Sequence, residues 1–374
     1  MAVKSLSDVT INLSITALPN SGTAKIAVLT SGTDSNAHSY TFSSIAGVEN
    51  TFDENSNVYS LVQKAFETDG YNGQVEVIVA PSSDVSTGSS TTTTSTSVTT
   101  GSSATSASTS SSSSTVNRFV YALKQYVNDG FNYVVDDNLK ESDLEAVTDY
   151  LYSKQAAAVI TQVNSVSALQ TLSAYSSKNQ PKTGDKLNGV YAIVETSSRK
   201  PAVQVAARLA QYNFDIGGVD AKKVGELSEF QADDDLTAED LKAIDAARGS
   251  AVANLADMQM MYRGYSLGEN FLDEYINTKI VKDTFQYNLQ RALNDIKTRA
   301  YNQDTINFLY TVAVNTGNDL FTRNFLAEAP TIDKLDFAQV ANQDITSRDY
   351  RGFNVHATIS NSVETMAVRI NLAE

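Results

Sequence analysis

The sequence predicts a mixed α/β (α+β) fold, with a core sheet and flanking helices built from both ends of the chain, a middle α/β region, and extended strand arms at both termini. Three observations predict it. From Asp8 onward, Val9, Ile11, Leu13 and Ile15 alternate with Thr10, Asn12, Ser14 and Thr16, the period of a half-buried strand, and a similar alternation closes the chain. Between residues 116 and 212, helical and extended patterns follow one another, as in an α/β layer. Between 269 and 300, Phe271, Leu272, Tyr275, Ile276, Leu289, Leu293 and Ile296 recur at helical spacing, which predicts a long helix packed on a core.

Taken in order, the first strand ends at the turn Pro19-Asn20-Ser21-Gly22, and 24–29 reads as a second, more buried strand. A helix over 56–66 carries Val58, Leu61, Val62, Ala65 and Phe66 on one stripe, and 74–80 reads as a strand. Residues 82–115 are almost entirely Ser and Thr; such a run buries too little apolar surface to offset its ordering entropy and reads as a flexible tether. The alternative, a glycosylated stalk, would need a secretory signal. A helix over 116–127, a strand over 133–135, a helix opened by Ser142 and Glu145 at capping-box spacing, and a strand over 156–163 follow. Further on, a helix over 166–175, a strand over 189–195 and a helix over 201–212 begun by Pro201 complete the series. Thr237 and Asp240 have capping-box spacing as well. The end reads as a hairpin: Phe353, Val355, Ala357 and Ile359 alternate with polar residues, Asn361-Ser362 marks a turn, and Met366, Val368, Ile370 and Leu372 alternate again. No repeat of solenoid or propeller period is present.

This order divides the chain into an amino-terminal strand arm (1–23), a first part of the core (24–81), the tether (82–115), an α/β region (116–220), a helix-rich part of the core (221–345), and a carboxyl-terminal hairpin and strand arm (346–374).

Composition narrows the function. The 374 residues carry 28 basic and 43 acidic side chains, a formal charge of −15 that repels phosphate backbones and anionic membranes, so no nucleic acid is expected as a partner. There is no cysteine, which excludes disulfides, thiolate metal sites and thiol nucleophiles, and His38 and His356 are the only imidazoles. The first residues lack the apolar core of a secretory signal, and no stretch approaches the ~20 apolar residues of a membrane span. A soluble product kept in the cytosol, with no membrane insertion, is expected.

One segment has catalytic spacing. Gly264-Tyr265-Ser266-Leu267-Gly268 matches the G-x-S-x-G nucleophile elbow, and His356 follows in the chain order of a hydrolase. An elbow needs a buried apolar strand leading into the serine, whereas Met258-Gln259-Met260-Met261-Tyr262-Arg263 is a mediocre one; His356 lies inside an alternating strand rather than a loop. The favoured reading is a Gly-bounded turn, with the serine hydrolase (Ser266, His356) kept as the rival. Asp233-Asp234-Asp235 lacks the alternating spacing of a calcium loop and reads as a solvated turn. No phosphate loop or dinucleotide glycine pattern occurs, and Gly217-Gly218 reads as a turn. No catalytic residue, metal or cofactor is expected.

Two regions carry a resemblance. Tyr40-Thr41-Phe42-Ser43-Ser44-Ile45-Ala46-Gly47-Val48, followed by Phe52, Asp53, Asn57, Tyr59 and Ala65-Phe66 and then the strand from Val75, is one. Gly268-Glu269-Asn270-Phe271-Leu272-Asp273 leading into a long helix, then Ala300-Tyr301-Asn302-Gln303-Asp304-Thr305 and a second helix, is the other. Together with the terminal arms they resemble the sheath proteins of contractile-tailed phages. The Ser/Thr tether departs from that family, standing where other members carry an inserted outer domain. The resemblance implies a non-enzymatic homo-oligomer stacked as rings or helical strands around a tail tube and contracting when the baseplate triggers. Its implied partners are further copies of itself, the tail-tube protein, and baseplate and tail terminator proteins. Its implied location is the virion tail, with assembly in the host cytoplasm.

The residues support polymerisation independently. Amphipathic strands at both extremes, Val9, Ile11, Leu13 and Ile15 at one end and Met366, Val368, Ile370 and Leu372 at the other, are suited to adding to a neighbour's sheet through backbone hydrogen bonds. The alternative is pairing within their own chain. A tail-tube or fibre subunit is the remaining structural rival.

Overall fold

The computed structural model describes residues 24–87, 114–154, 156–178, 189–212, 215–221, 231–233, 235–255, 257–268 and 270–362. Both arm strands, 9–15 and 366–372, lie outside the described residues. The strands are β1 Lys25–Ser31, β2 His38–Phe42, β3 Gln74–Ala80, β4 Val85–Thr87, β5 Ser114–Val116, β6 Tyr133–Asp136, β7 Ala158–Val163, β8 Val190–Val194, β9 Ser250–Leu255, β10 Met258–Met261, β11 Thr331–Asp333 and β12 Asn354–His356. The helices are α1 Ile45–Val48, α2 Asn57–Glu67, α3 Arg118–Tyr126, α4 Glu141–Lys154, α5 Val166–Lys178, α6 Pro201–Tyr212, α7 Ala238–Ala246, α8 Leu272–Asp295, α9 Gln303–Thr322 and α10 Asn342–Ser347.

Eight strands form one sheet in the order β10-β9-β8-β7-β6-β1-β3-β2. The six inner strands are parallel, and β2 and β10 pair antiparallel at the two edges. Ile26, Ala27, Val28 and Leu29 are all 0% exposed, because a central parallel strand is covered on both faces and reads as a continuous apolar run. One face packs Ile26, Val28, Val75 and Val77 against α2, α6 and α8 through residues such as Val62, Val203 and Ile276. The other packs Ala27, Leu29, Ile78 and Val134 against α3, α4, α5 and α7 through Phe119, Leu151, Leu169 and Ile244. Burying a side chain such as Phe119 or Leu123 contributes about 2 kcal/mol. Phe325, Leu326 and Ile332 join the same cluster as Ile26, so this core is drawn from both ends of the chain, as the sequence predicts.

The chain passes from β1 to β3 on one side, then crosses back to β6 on the other. That reversal places α2 and α3 on opposite faces, as right-handed crossovers require.

Several elements differ from expectation. The helix predicted from 116 starts at Arg118, because Asn117 accepts the amides of Phe119 and Val120 (3.0 and 3.3 Å), while Val116 belongs to β5. Helix α4 begins at Glu141, so Ser142 stands inside its first turn rather than capping it. The capping box of Thr237 and Asp240 forms as predicted. The long helix runs over Leu272–Asp295, shorter at both ends than 269–300. Both ends of the predicted tether, 82–115, include strand, since β4 and β5 pair antiparallel there; residues 88–113 lie outside the described residues. Strand β12 is shorter than the alternation over 353–359 and pairs with β11, upstream, across Ile332 and Val355.

Candidate assembly surfaces

Helix α9 leads into a small second ladder, anchored by Phe325 and Leu326, which are 0% and 2% exposed. Leu326 bridges Ile359, Ser360 N–H donates to Phe325 O (3.0 Å), and Ala327 N–H donates to Thr358 O (2.9 Å). Beyond this anchor, β11 and β12 form a two-stranded sheet of their own. Ile332 points into the core, whereas Thr331, Asp333, Asn354, Val355 and His356 are all exposed. His356 Nε2 lies 2.9 Å from Asp333 Oδ2 and 2.9 Å from Asn354 Nδ2, tying the ladder across its outer face. Tyr310 of α9 meets Phe353 with rings tilted at 6.5 Å, Tyr301 just before α9 meets Phe337 at 5.9 Å, and Tyr350 meets Phe353 edge to face at 5.0 Å. A pair of strands standing alone is marginally stable, and its outer edges offer free backbone donors and acceptors.

The described chain starts and stops near one edge of the large sheet. Ala24, just before β1, accepts Gln74 N–H at 2.7 Å. At the other terminus, Ser362 donates its amide (3.2 Å) and hydroxyl (2.8 Å) to Asp273 in the first turn of α8, and Asn277 donates to Ser360 O (3.2 Å). Tyr275, in that same turn, packs against Gly189 at the start of β8. Ala24 and Ser362, the first and last described residues, therefore lie at the amino-terminal edge of the parallel strands. The β4–β5 ladder stands at the opposite edge, where the Arg118 guanidinium donates to Ser82 O (3.0 Å) and Ser31 Oγ (3.3 Å) and its backbone amide donates to Asp84 Oδ1 (3.0 Å).

The structure gives Ser266 and His356 separate surroundings. Ser266 is 1% exposed, and its hydroxyl donates to Asn270 O at 2.6 Å. Arg248 donates to Ser266 O (3.2 Å) and Asn270 O (3.1 Å), its guanidinium lying 4.5 Å from the centre of the Tyr265 ring. The strand before the motif, β10, is an antiparallel edge strand, so the segment is a clamped turn as the sequence suggests. His356 is occupied by Asp333 and Asn354 instead.

At the point where the strand order reverses, between β1 and β6, doubly wound sheets commonly bind ligands. Here Asp137 takes the Thr30 hydroxyl at 2.5 Å and the Asn57 amide, so these polar groups satisfy one another. Next to it the Asp136 carboxyl is enclosed, and burial pushes it up to about 6 against bonds from Thr161 and the Leu139 amide. The acidic run is not wholly a solvated turn. Asp233 is buried, and although burial acts to raise it, bonds from the Thr196 amide (2.8 Å) and hydroxyl (2.9 Å), with Arg199 nearby, hold it below the usual carboxylate range. Among the described residues, no group of three His, Asp or Glu side chains is placed to hold a metal ion. No described helix is long and apolar enough to cross a membrane.

No family model matches the chain, and no curated protein matches it by sequence. Solved structures do match. The sheath complex of an extracellular contractile injection system, PVC, in its contracted state aligns with TM-score 0.62 and 11% identity over 100% of this chain and 99% of that one. The contracted anti-feeding prophage baseplate aligns with TM-score 0.60 and 13% identity, again over 100% and 99%. Its six-fold symmetrised baseplate aligns with TM-score 0.57 and 11% identity over 100% of both chains. This chain therefore shares the mixed α/β fold of that contractile sheath chain.

Proposed function

We propose that the chain is the structural subunit of a contractile sheath, polymerising with copies of itself around a tail tube and shortening to drive the tube into a host envelope. The observation that carries this reading is the exposed β11–β12 ladder, on a fold shared end to end with a contractile sheath chain. Its two outer edges, unpaired among the described residues, fit the amphipathic strands at 9–15 and 366–372 of neighbouring copies, each joint made by backbone hydrogen bonds. Such bonds contribute about 1 kcal/mol each, and strand addition leaves the subunit bodies free to rotate about the joint. The polar cluster at the reversal point and the clamped turn around Ser266 support a structural role over a hydrolytic one. Baseplate, tail-tube and terminator proteins are the expected partners, the tail of a virion or injection particle the expected location, and the host cytoplasm the site of assembly.

Removing residues 2–18, or separately 364–374, is expected to leave a folded, soluble protein with near-normal thermal unfolding that forms no rods by electron microscopy. Unfolding of either variant, with no strand crossing between subunits in rods of the full chain, would place the arms within their own chain. Outer diameter and axial repeat of the rods distinguish a sheath from a tail tube or fibre.

A further inference from the structure

The large sheet ends at β2, whose outer edge has no partner among the described residues. His38-Ser39-Tyr40-Thr41-Phe42 carries no lysine or proline to blunt that edge, so its outward backbone donors and acceptors are a template for another strand. Its two faces differ. Tyr40 and Phe42 stand opposite Val77 and Val75 on the face covered by α2. Tyr40 is 38% exposed, meets Phe52 edge to face at 5.7 Å and stacks beside Phe42 at 6.5 Å. Ser39 and Thr41 lie on the other face, opposite Ile78 and Glu76, with Thr41 exposed and the Ser39 hydroxyl donating to Glu76. A strand added here needs apolar side chains on one face and small polar ones on the other.

The amino-terminal segment has that pattern, with Val9, Ile11, Leu13 and Ile15 for the aromatic face and Thr10, Asn12 and Ser14 for the face of Ser39 and Thr41. It also starts in the right place. Ala24 O still receives Gln74 N–H from β3 (2.7 Å), and β3 is the strand between β1 and β2. A strand outside β2 would stand three positions from β1, ~14 Å at ~4.8 Å per strand, whereas residues 16–23 reach ~27 Å at ~3.4 Å each. For Ile15 to finish beside Ala24, the added strand must run antiparallel to β1 and hence parallel to β2. The link carries the turn signal Pro19-Asn20-Ser21-Gly22 that such a reversal requires.

We infer that, before assembly, residues 9–15 dock as a further strand on the β2 edge of their own chain, and that a subunit must release this strand before a neighbour can receive it. Docked, the strand covers Tyr40 and closes the edge, which keeps free subunits from pairing sheet to sheet. On release, one set of backbone hydrogen bonds is exchanged for an equivalent set in the neighbour, so the step is nearly balanced in those bonds and the remaining subunit contacts decide its direction.

The chain has no cysteine, so introduced pairs read the contact directly. Neighbouring strands lie ~4.8 Å apart, within disulfide range, whereas side chains on opposite faces cannot be bridged. In unassembled full-length protein under mild oxidation, Thr41→Cys combined with Thr10→Cys, Asn12→Cys or Ser14→Cys is expected to give an intramolecular disulfide in at least one register, seen as a shifted monomer band that reductant reverses. Thr41→Cys with Val9→Cys, Ile11→Cys or Leu13→Cys should give none, and Met258→Cys, on the opposite edge strand β10, should bridge to none of the six. The bridged protein should form no rods by electron microscopy until it is reduced. Bridging that ignores the face, bridging to Met258→Cys, a disulfide-linked dimer in place of the shifted monomer, or no bridge at all would each overturn the docked strand, and rods from bridged protein would overturn the need for release. The inference rests on the reading of 9–15 as an arm, but the bridge is read without rods. A missing bridge leaves the arm-deletion result standing, and rods from the 2–18 deletion would remove the arm reading while leaving the bridge.

Discussion

Replacing Asp136 by Asn should stabilise the protein at neutral pH, although it removes a charge from an acidic residue that accepts hydrogen bonds. The Asp136 carboxyl lies at the end of β6, where Oδ2 accepts the Leu139 amide at 3.3 Å, Thr161 opposes the effect of burial, and the neighbouring Asp137 adds like charge. Burial raises it from an ordinary carboxylate to about 6, so the folded state binds a proton more tightly than the unfolded chain. A raised carboxyl contributes its stability when protonated and loses it as pH climbs through the folded value. The loss therefore accumulates between about 4 and 6 and amounts to about 3 kcal/mol above that range. Asparagine is neutral throughout and never incurs it. The gain from Asp136→Asn should exceed its gain at pH 5.0 by about 1.4 kcal/mol at pH 7.5, the part of the linkage that falls between those values. The chain has no tryptophan, so urea unfolding is best followed by far-UV circular dichroism. An equal effect at both pH values, or a larger gain at pH 5.0, would refute the reasoning.

Ser266→Ala should cost about 1 kcal/mol in urea unfolding, since one buried hydroxyl bond is lost while Arg248 still satisfies Asn270 O, and a fluorophosphonate probe should not label the wild-type serine. Specific labelling there would revive the hydrolase reading. Replacing residues 89–113 by a short Gly/Ser link, which spares the β4–β5 ladder, should leave circular dichroism, melting and rods unchanged, because loop-closure entropy varies slowly with length. Insoluble protein would contradict it.

The strands legible in the sequence are those whose environment writes a pattern. β1 and β3 are sealed on both faces and appear as apolar runs, and Pro201 marks the start of α6 because its missing amide costs nothing there. Edge strand β2, with the sequence His38-Ser39-Tyr40-Thr41-Phe42, buries little beyond Phe42 and writes almost none. β9 is buried but made of small residues around Val252, too weak a signal against its helical neighbours. Asp233 looked like part of a solvated charge run because its partner Thr196 lies at the far end of β8, a proximity that only the fold creates.

The same reasoning explains why the proposed assembly surface is half legible. Recognition by strand addition is carried by main-chain groups, which every residue except proline possesses. Alternation at 9–15 and 366–372 therefore reveals the capacity to be a strand without naming a partner. The proposed receiving side is less visible still, since β11 and β12 are three residues each and come together only by pairing Ile332 with Val355 across a long excursion. No composition signal marks that meeting. What the fold adds is direction: Ala24 and Ser362 leave from one edge of the sheet, and the Ser/Thr run is rooted at the other. A subunit joined through its ends would keep that run clear of the joints by the length of the parallel strands, about 20 Å at ~3.3 Å per residue.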